Sequence, residues 1–285
     1  FYSGTVDCAA PPAGVRCFGP SGFTWDVAVG DMDGDGSLDI VAGYYGMWEA
    51  EQNLLYLNDG TAHFSTTIEF GTGADWTTAV AAADVNGDGT LDIVVGNDQQ
   101  PNVVYLNDGA GAVRDSRNLA WFGNTTGIAM ADLNGDGALD IATGQVGWMG
   151  RGVVYLNDGG GYFSTTRSFG TPLEGSYSVA AGDLDGDHDL DLVACYVGQG
   201  LAFLNDGVAG FYSGTVDCAG PPANVRCFGP GLAQTKPLAV GDVDGDSDLD
   251  IVAGNAGQPN VVYLNDGAAH FYAGTVDCAG PPANV

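Results

Sequence analysis

Apolar residues in this chain come in short runs, separated by clusters of Gly, Asp and Asn. One kind of run leads into an acidic turn: WDVAVGD from Trp25, TAVAAAD from Thr78, GIAMAD from Gly127, YSVAAGD from Tyr177 and PLAVGD from Pro237. A second kind leaves that turn: LDIVAG from Leu38, LDIVVG from Leu91, LDIATG from Leu139, LDLVAC from Leu190 and LDIVAG from Leu249. A third ends in LNDG or FLNDG and starts at Asn53, Asn102, Gly152, Gly200 and Asn260; a fourth opens on an aromatic, as in 64–70 and 163–169. The runs are β-branched or rich in Ala and Gly, and they are too short for helices. Asp-Gly after each third run is a hairpin signal. The pattern predicts four short strands per unit and an all-β chain.

The units are repeats. An acidic nonapeptide occurs five times, from Asp31, Asp84, Asp132, Asp183 and Asp242, at offsets of 53, 48, 51 and 59 residues. Periods near 50 fit four-stranded propeller blades and are too long for leucine-rich or ankyrin repeats. The expected layout is one β-propeller domain over 1–285. In it 1–20 forms an outer strand and disulfide loop, and the blades span about 21–72, 73–123, 124–172, 173–230 and 231–285.

These two signatures, DMDGDGSLD-like loops and LNDG turns, resemble the FG-GAP/VCBS family of calcium-binding β-propeller repeats, the type found in the integrin alpha-subunit head. The resemblance covers essentially the whole chain and implies a calcium-dependent extracellular propeller. Two features depart from it. Glycine is constant at loop position 4, but at position 6 the last two copies carry His188 and Ser247. Integrin-type heads have seven blades, whereas five are visible here.

Charge sharpens the reading. Lys and Arg number 7 against 36 Asp and Glu, for a net charge of −29, and only Glu49, Glu51, Glu69 and Glu174 are Glu. Such a surface repels phosphate backbones and anionic lipid, so no nucleic-acid partner is expected. No apolar run is long enough for membrane insertion. The bias to Asp points to a chemistry that needs short carboxylates. In each loop, side-chain oxygens fall at positions 1, 3, 5 and 9, and position 7 offers its carbonyl. The candidate ligands are Asp31, Asp33, Asp35, Ser37 and Asp39; Asp84, Asn86, Asp88, Thr90 and Asp92; Asp132, Asn134, Asp136, Ala138 and Asp140; Asp183, Asp185, Asp187, Asp189 and Asp191; and Asp242, Asp244, Asp246, Asp248 and Asp250. All-oxygen sets without Cys or His select a hard cation, and flexible sites of six to eight oxygens suit Ca²⁺ better than Mg²⁺. About five ions are expected, in structural rather than catalytic roles. An EF-hand is excluded because its twelfth residue, a Glu, is here Ala42, Val95, Thr143, Ala194 or Ala253.

The ends carry a further repeat. Residues 1–20 recur at 211–230 with two changes, and the first 15 recur at 271–285. Placed after LNDG, this segment reads as an outer strand followed by a loop, so the chain holds one outer strand too many. Either residues 1–20 pair across a ring closure, or the strand belongs to a longer chain or to a neighbouring copy. Cysteine spacing favours the second: Cys8–Cys17 and Cys218–Cys227 are expected disulfides, and Cys278 would find its counterpart past Val285. Cys195 stands where other repeats have Gly and reads as a buried free thiol. Paired loop cysteines imply an oxidising, secreted or cell-surface setting.

Strand topology places the acidic loops and LNDG turns at one end of the blades and the remaining loops at the other. That other end collects Trp25, Tyr44, Tyr45, Trp48, Trp76, Trp121, Phe122, Trp148 and Tyr196 beside amides such as Asn97, Gln99, Gln100 and Gln145. Tyr44, Tyr45, Trp48 and Trp148 are the candidate ligand-binding residues, for a glycan or an extracellular protein. Asn124 opens the one N-glycosylation sequon. His63, His188 and His270 occupy turns, and no nucleophile elbow, zincin motif or phosphate loop is present. The sequence therefore reads as a binding or adhesion module. Its main rival is a structural subunit that joins copies of itself into an extracellular filament, and a minor one is a polysaccharide-cleaving enzyme.

Overall fold

The computed structural model describes residues 8–9, 11–19, 23–46, 52–120, 123–147, 150–171, 175–196, 198–232 and 235–271, excepting the side chains of 230–232, 235 and 236. Every regular element among them is a β-strand. The first sheet runs β1 (Thr24–Gly30), β2 (Asp39–Tyr44), β3 (Asn53–Leu57) and β4 (Thr66–Phe70) in chain order. The second holds β5 (Thr77–Ala83), β6 (Asp92–Asn97), β7 (Val103–Asn107) and β8 (Val113–Asn118), again in order. The third comprises β9 (Asn124–Ala131), β10 (Asp140–Val146), β11 (Gly152–Leu156) and β12 (Thr165–Phe169). β13 (Ser176–Gly182), β14 (Asp191–Tyr196), β15 (Gly198–Phe203) and β16 (Val225–Leu232) make the fourth sheet. A fifth, three-stranded among the described residues, is β17 (Thr235–Gly241), β18 (Asp250–Asn255) and β19 (Val261–Tyr263).

All neighbouring strands within a sheet are antiparallel, as the short connecting turns require. The first strands of consecutive sheets pack on one another, β1 on β5, β5 on β9, β9 on β13 and β13 on β17. The sheets are therefore propeller-like blades arranged around their first strands. At the two ends of this series Val27 and Val29 of blade 1 and Val243 of blade 5 are more than half exposed.

The core lies between blades rather than within them. Middle strands are covered on both faces, and so read as continuous apolar runs: β6 and β7 are buried throughout. At the joint between blades 1 and 2, Met32, Val41, Leu55 and Phe70 of one blade meet Val80, Ile93, Val95, Val103 and Tyr105 of the next. Outer strands are more open: β12 is exposed or half-buried along its length and buried only at Phe169. The joints are tight where second strands end. A Cβ on Gly43 would lie 2.6 Å from Thr77 Cγ2, and one on Gly96 2.5 Å from Thr125 Cγ2. Cys195 takes the same station in blade 4, where its free thiol is fully buried.

Both expected disulfides, Cys8–Cys17 and Cys218–Cys227, are formed. The repeated segment is arranged differently from the sequence expectation, which put its strand first and its loop second. In blade 4 the disulfide loop comes first, and β16 starts at Val225. The head of the segment crosses to the preceding blade, where Gly170 N–H donates to the Tyr212 carbonyl and Phe211 packs on Phe169 at 6.3 Å. Pro221 and Pro222 cannot donate to a ladder, so pairing begins only after them. In the N-terminal copy, residues 11–19 join no sheet among the described residues, and Phe18 packs on Tyr56 and Phe64 of blade 1. Cys278 lies outside the described residues.

Candidate functional site

Each acidic loop winds around its own carboxylates. The Asp31 side chain accepts the N–H of Gly34 at 2.8 Å with one oxygen and that of Gly36 at 2.9 Å with the other. Asp84, Asp132, Asp183 and Asp242 do the same work in their loops, each accepting the N–H at position 6. Asp35 accepts the Ser37 N–H at 2.7 Å, and its counterparts Asp88, Asp136, Asp187 and Asp246 accept from Thr90, Ala138, Asp189 and Asp248. This winding needs a left-handed backbone at position 6. Gly36, Gly89 and Gly137 supply it at φ near 90°, and His188 and Ser247 adopt it too, at 73° and 81°.

Position 9 behaves differently from the others. Asp39, Asp92, Asp140, Asp191 and Asp250 are buried at 0–1% exposure. Each braces the loop to the LNDG turn: Asp39 accepts Met32 N–H and Asn58 N–H, both at 2.8 Å, and the other four repeat the pair. Sequence reading found these residues as ligands and missed the brace. Nothing local separates a bracing Asp from a ligating one, because the partner amide lies 14–19 residues on.

The carboxylates converge. Oxygens of Asp31, Asp33 and Asp39 lie within 4.8 Å of one another, as do those of Asp183, Asp185 and Asp191, and those of Asp242, Asp244 and Asp246. In the second and third loops Asn86 and Asn134 replace the position-3 acid, and their amide nitrogens bond Asp88 and Asp136 at 2.9 Å. Burial raises the Asp33, Asp185 and Asp191 carboxyls, and neighbouring acids push each higher, Asp191 to about 7. The donor set fits a divalent hard cation. Every ligand is oxygen, the crowded charges gain most from a positive partner, and each loop is already wound about one centre.

At the opposite end of the blades, the expected aromatic face divides. Tyr44 is 4% exposed and its hydroxyl lies 2.8 Å from that of Tyr56, so it belongs to the core and not to a ligand face. It is the last residue of β2, a middle strand, and it shares a buried cluster with Ala42, Leu54 and Tyr56. Tyr196, its counterpart in blade 4, is fully buried as well. Tyr45, one residue on, faces outward. Its ring lies 5.1 Å from Trp25 and 6.0 Å from Trp76, forming an aromatic row across blades 1 and 2. The Tyr45 hydroxyl donates to Asp98 Oδ2 at 2.7 Å, and its pKa is pushed up to about 12 by burial first and then by that bond and charge. The Gln100 side chain is committed to holding loops together, its Oε1 accepting Trp76 N–H and its Nε2 donating to the Ala74 carbonyl, while the Gln99 backbone N–H donates to Asn124 Oδ1. Asn124 opens β9, half-buried, at this same end. Trp48 and Trp148 lie outside the described residues.

The row borders a cavity of about 640 Å³ around the first strands. Trp25, Tyr45 and Asp98 line it from one side, Thr126 and Tyr177 from the middle blades, and Pro237 and Leu238 from the fifth. Asp98 Oδ1 is buried with no hydrogen-bond partner. The half-buried Asp98 carboxylate stands beside two aromatic faces, with one oxygen held by Tyr45 and the other shielded from solvent. Sequence reading did not single out Asp98, which sits among the amides of its loop without a motif of its own.

Family models match the chain as FG-GAP-like repeats over residues 45–95, 84–143 and 146–194, and as an FG-GAP repeat over 23–53. No curated protein sequence matches. Solved structures do. One describes specific recognition of non-reducing terminal N-acetylglucosamine by an Agrocybe aegerita lectin, at 23% identity and a TM-score of 0.58, over 85% of this chain and 63% of that one. Another is the V. cholerae biofilm matrix protein Bap1, at 18% identity and a TM-score of 0.50, over 93% of this chain and 41% of that one. A third is BBS1N in complex with ARL6DN, at 15% identity and a TM-score of 0.54, over 90% and 71%. At these identities the likeness is one of fold. The chain spans less than two thirds of the length of the first two.

Proposed function

Because the chain belongs to the FG-GAP-like repeat family, we propose that it is an extracellular, calcium-loaded binding module that holds a glycan at the Trp25–Tyr45–Asp98 end of its blades. The observation that carries this reading is the Trp25–Tyr45 aromatic pair lining the cavity beside the Asp98 carboxylate. A sugar suits that lining: it has an apolar C–H face for Trp25 and Tyr45, and hydroxyls for the polar groups beside them. The lectin likeness supports the same chemistry, and the two disulfides support an oxidising compartment.

The acidic loops serve this role indirectly. Bound Ca²⁺ would neutralise three or four carboxylates per loop and so make its affinity part of the folding energy. The residues that would hold it are those at positions 1, 3, 5 and 9, with the position-7 carbonyl. We read the loops as structural and the module as non-catalytic, since the clustered carboxylates are accounted for by the cation.

The test is sugar binding by calorimetry after a glycan screen. Asp98→Asn should weaken binding about 10- to 100-fold, the effect of losing a charge-assisted hydrogen bond, and Tyr45→Ala should abolish it. Binding unchanged in both variants overturns the reading. A protein ligand that still depends on Tyr45, with no sugar bound, moves it to a surface-protein partner.

A further inference from the structure

Four joints link the five blades, and each is locked the same way. The Asn of an LNDG turn donates through its side-chain amide to two carbonyls at once. One belongs to position 8 of its own acidic loop, the other to position 2 of the preceding blade's loop. Asn107 reaches Leu91 and Met32, Asn157 reaches Leu139 and Val85, Asn205 reaches Leu190 and Leu133, and Asn265 reaches Leu249 and Leu184. The inter-blade bonds are 2.6–2.8 Å long.

A fifth such joint is present as two separate halves. The side-chain amide N–H of Asn58 in blade 1 donates to the Leu38 carbonyl and to no second one, and no amide among the described residues reaches the Val243 carbonyl of blade 5. The apolar stations on either side are open as well. Val27, Val29 and Leu38 are 53%, 57% and 61% exposed. Their counterparts in blade 2, Val80, Ala82 and Leu91, are packed into the first joint. Val243 is 52% exposed, whereas Met32, Val85, Leu133 and Leu184 at the same loop position are each 1%.

Residues 15–18 mark what belongs in the gap. Phe18 lies 5.1 Å from Tyr56 and 5.0 Å from Phe64. Phe228, the same residue of the repeated segment, lies 5.1 Å from Tyr263 and 5.9 Å from Phe271, the same positions of the fifth blade. Phe228 belongs to β16, the outer strand of the blade in front. Phe18 thus stands on blade 1 where the outer strand of a preceding blade stands.

We infer that the leading face of blade 1 docks the trailing face of blade 5 of a second copy, head to tail, forming a fifth joint of the kind repeated within the chain. The two faces are complementary because they are the two sides of one repeated interface. In the joint, Asn58 donates to the partner's Val243 carbonyl, Val29 and Leu38 cover the partner's Val243, and residues 15–18 lie along the partner's last sheet as its outer strand. Such a contact is heterologous, so copies can continue into a chain of copies.

The experiment uses two variants, each blocking one face: Val29→Arg and Val243→Arg. Both side chains are more than half exposed, so neither substitution disturbs a packed joint within one copy. Masses are measured by light scattering at rising concentration in calcium. The wild type should exceed the 29.0 kDa of one chain, each variant alone should stay at one chain, and the equimolar mixture should stop at two. A wild type that remains one chain at every concentration overturns the inference. Loss of thermal stability in both variants without any change of mass also overturns it, since the two faces would then be meeting within one copy.

Discussion

The side-chain amide of Asn157 donates to the carbonyl of Val85, 72 positions earlier, at 2.7 Å, while its second N–H holds Leu139 at 2.9 Å. One 4%-exposed side chain thereby ties a hairpin turn to its own acidic loop and to the loop of the blade before. Asp140 completes the knot by accepting the Asn157 backbone N–H at 2.8 Å.

Asn157→Ala leaves two carbonyls without donors inside a joint and should cost about 1–3 kcal/mol for each group left unsatisfied. Asn58→Ala frees the Leu38 carbonyl and the Gly60 and Ala62 N–H groups of its own turn, as Asn157→Ala does in its turn, but it leaves no inter-blade carbonyl unsatisfied and should cost less by about 1–3 kcal/mol. Chemical denaturation of both variants in saturating calcium measures the difference. Equal losses would show that the inter-blade half of the clamp contributes nothing.

Removal of calcium should lower the melting temperature steeply. A site loaded at 100-fold above its dissociation constant contributes about 2.7 kcal/mol, and the chain has five loops. Differential scanning calorimetry in calcium, in magnesium and in chelator checks this. Calcium should restore the transition and magnesium should restore little of it, because the loops offer many oxygens and no strict octahedron. Identical transitions in all three would end the metal reading.

Two loops store backbone strain. His188 and Ser247 hold the left-handed conformation that glycine holds in the other three loops. For an L-residue that conformation costs roughly 1–2 kcal/mol, partly offset by the entropy glycine loses on folding. Ser247→Gly and His188→Gly should each raise stability by about 0.5–1 kcal/mol without altering calcium stoichiometry, as read by denaturation and by calcium titration.

Asp26 supplies a pH dependence away from the loops. Its carboxylate accepts Val80 N–H across the first joint at 2.9 Å and Val27 N–H at 2.9 Å, yet burial outweighs those bonds and raises its pKa. The stability it contributes is complete below the ordinary carboxylate range and is lost as pH rises through the raised value. Asn at this position does not titrate. The melting temperature of Asp26→Asn relative to the wild type should therefore increase from pH 4 towards pH 7, and a flat or falling difference would contradict the burial effect.

Much of this protein is written locally. The all-β class, the strand order within each blade, the five loops and the two disulfides all depend on residues that are neighbours along the chain, within one repeat. Period-2 runs, Asp-Gly turns and alternate carboxylates announce them without help from the rest of the chain. The separation of loop end from aromatic end follows as well, since antiparallel order alone decides which turns share an end.

What only the tertiary structure decided lies between blades. Tyr44 and Tyr45 are adjacent and chemically alike, but a one-residue step along β2 sends the first against Tyr56 and the second towards Trp25 and Asp98. The Asn of LNDG looks like a turn residue until a neighbouring blade brings a carbonyl 72–81 positions away to its amide. Val29 and Val243 look like core until the arc shows that nothing within the described chain covers them. Repeated sequences encode the same two faces in every blade, and whether a face is buried depends on what stands next to it in space.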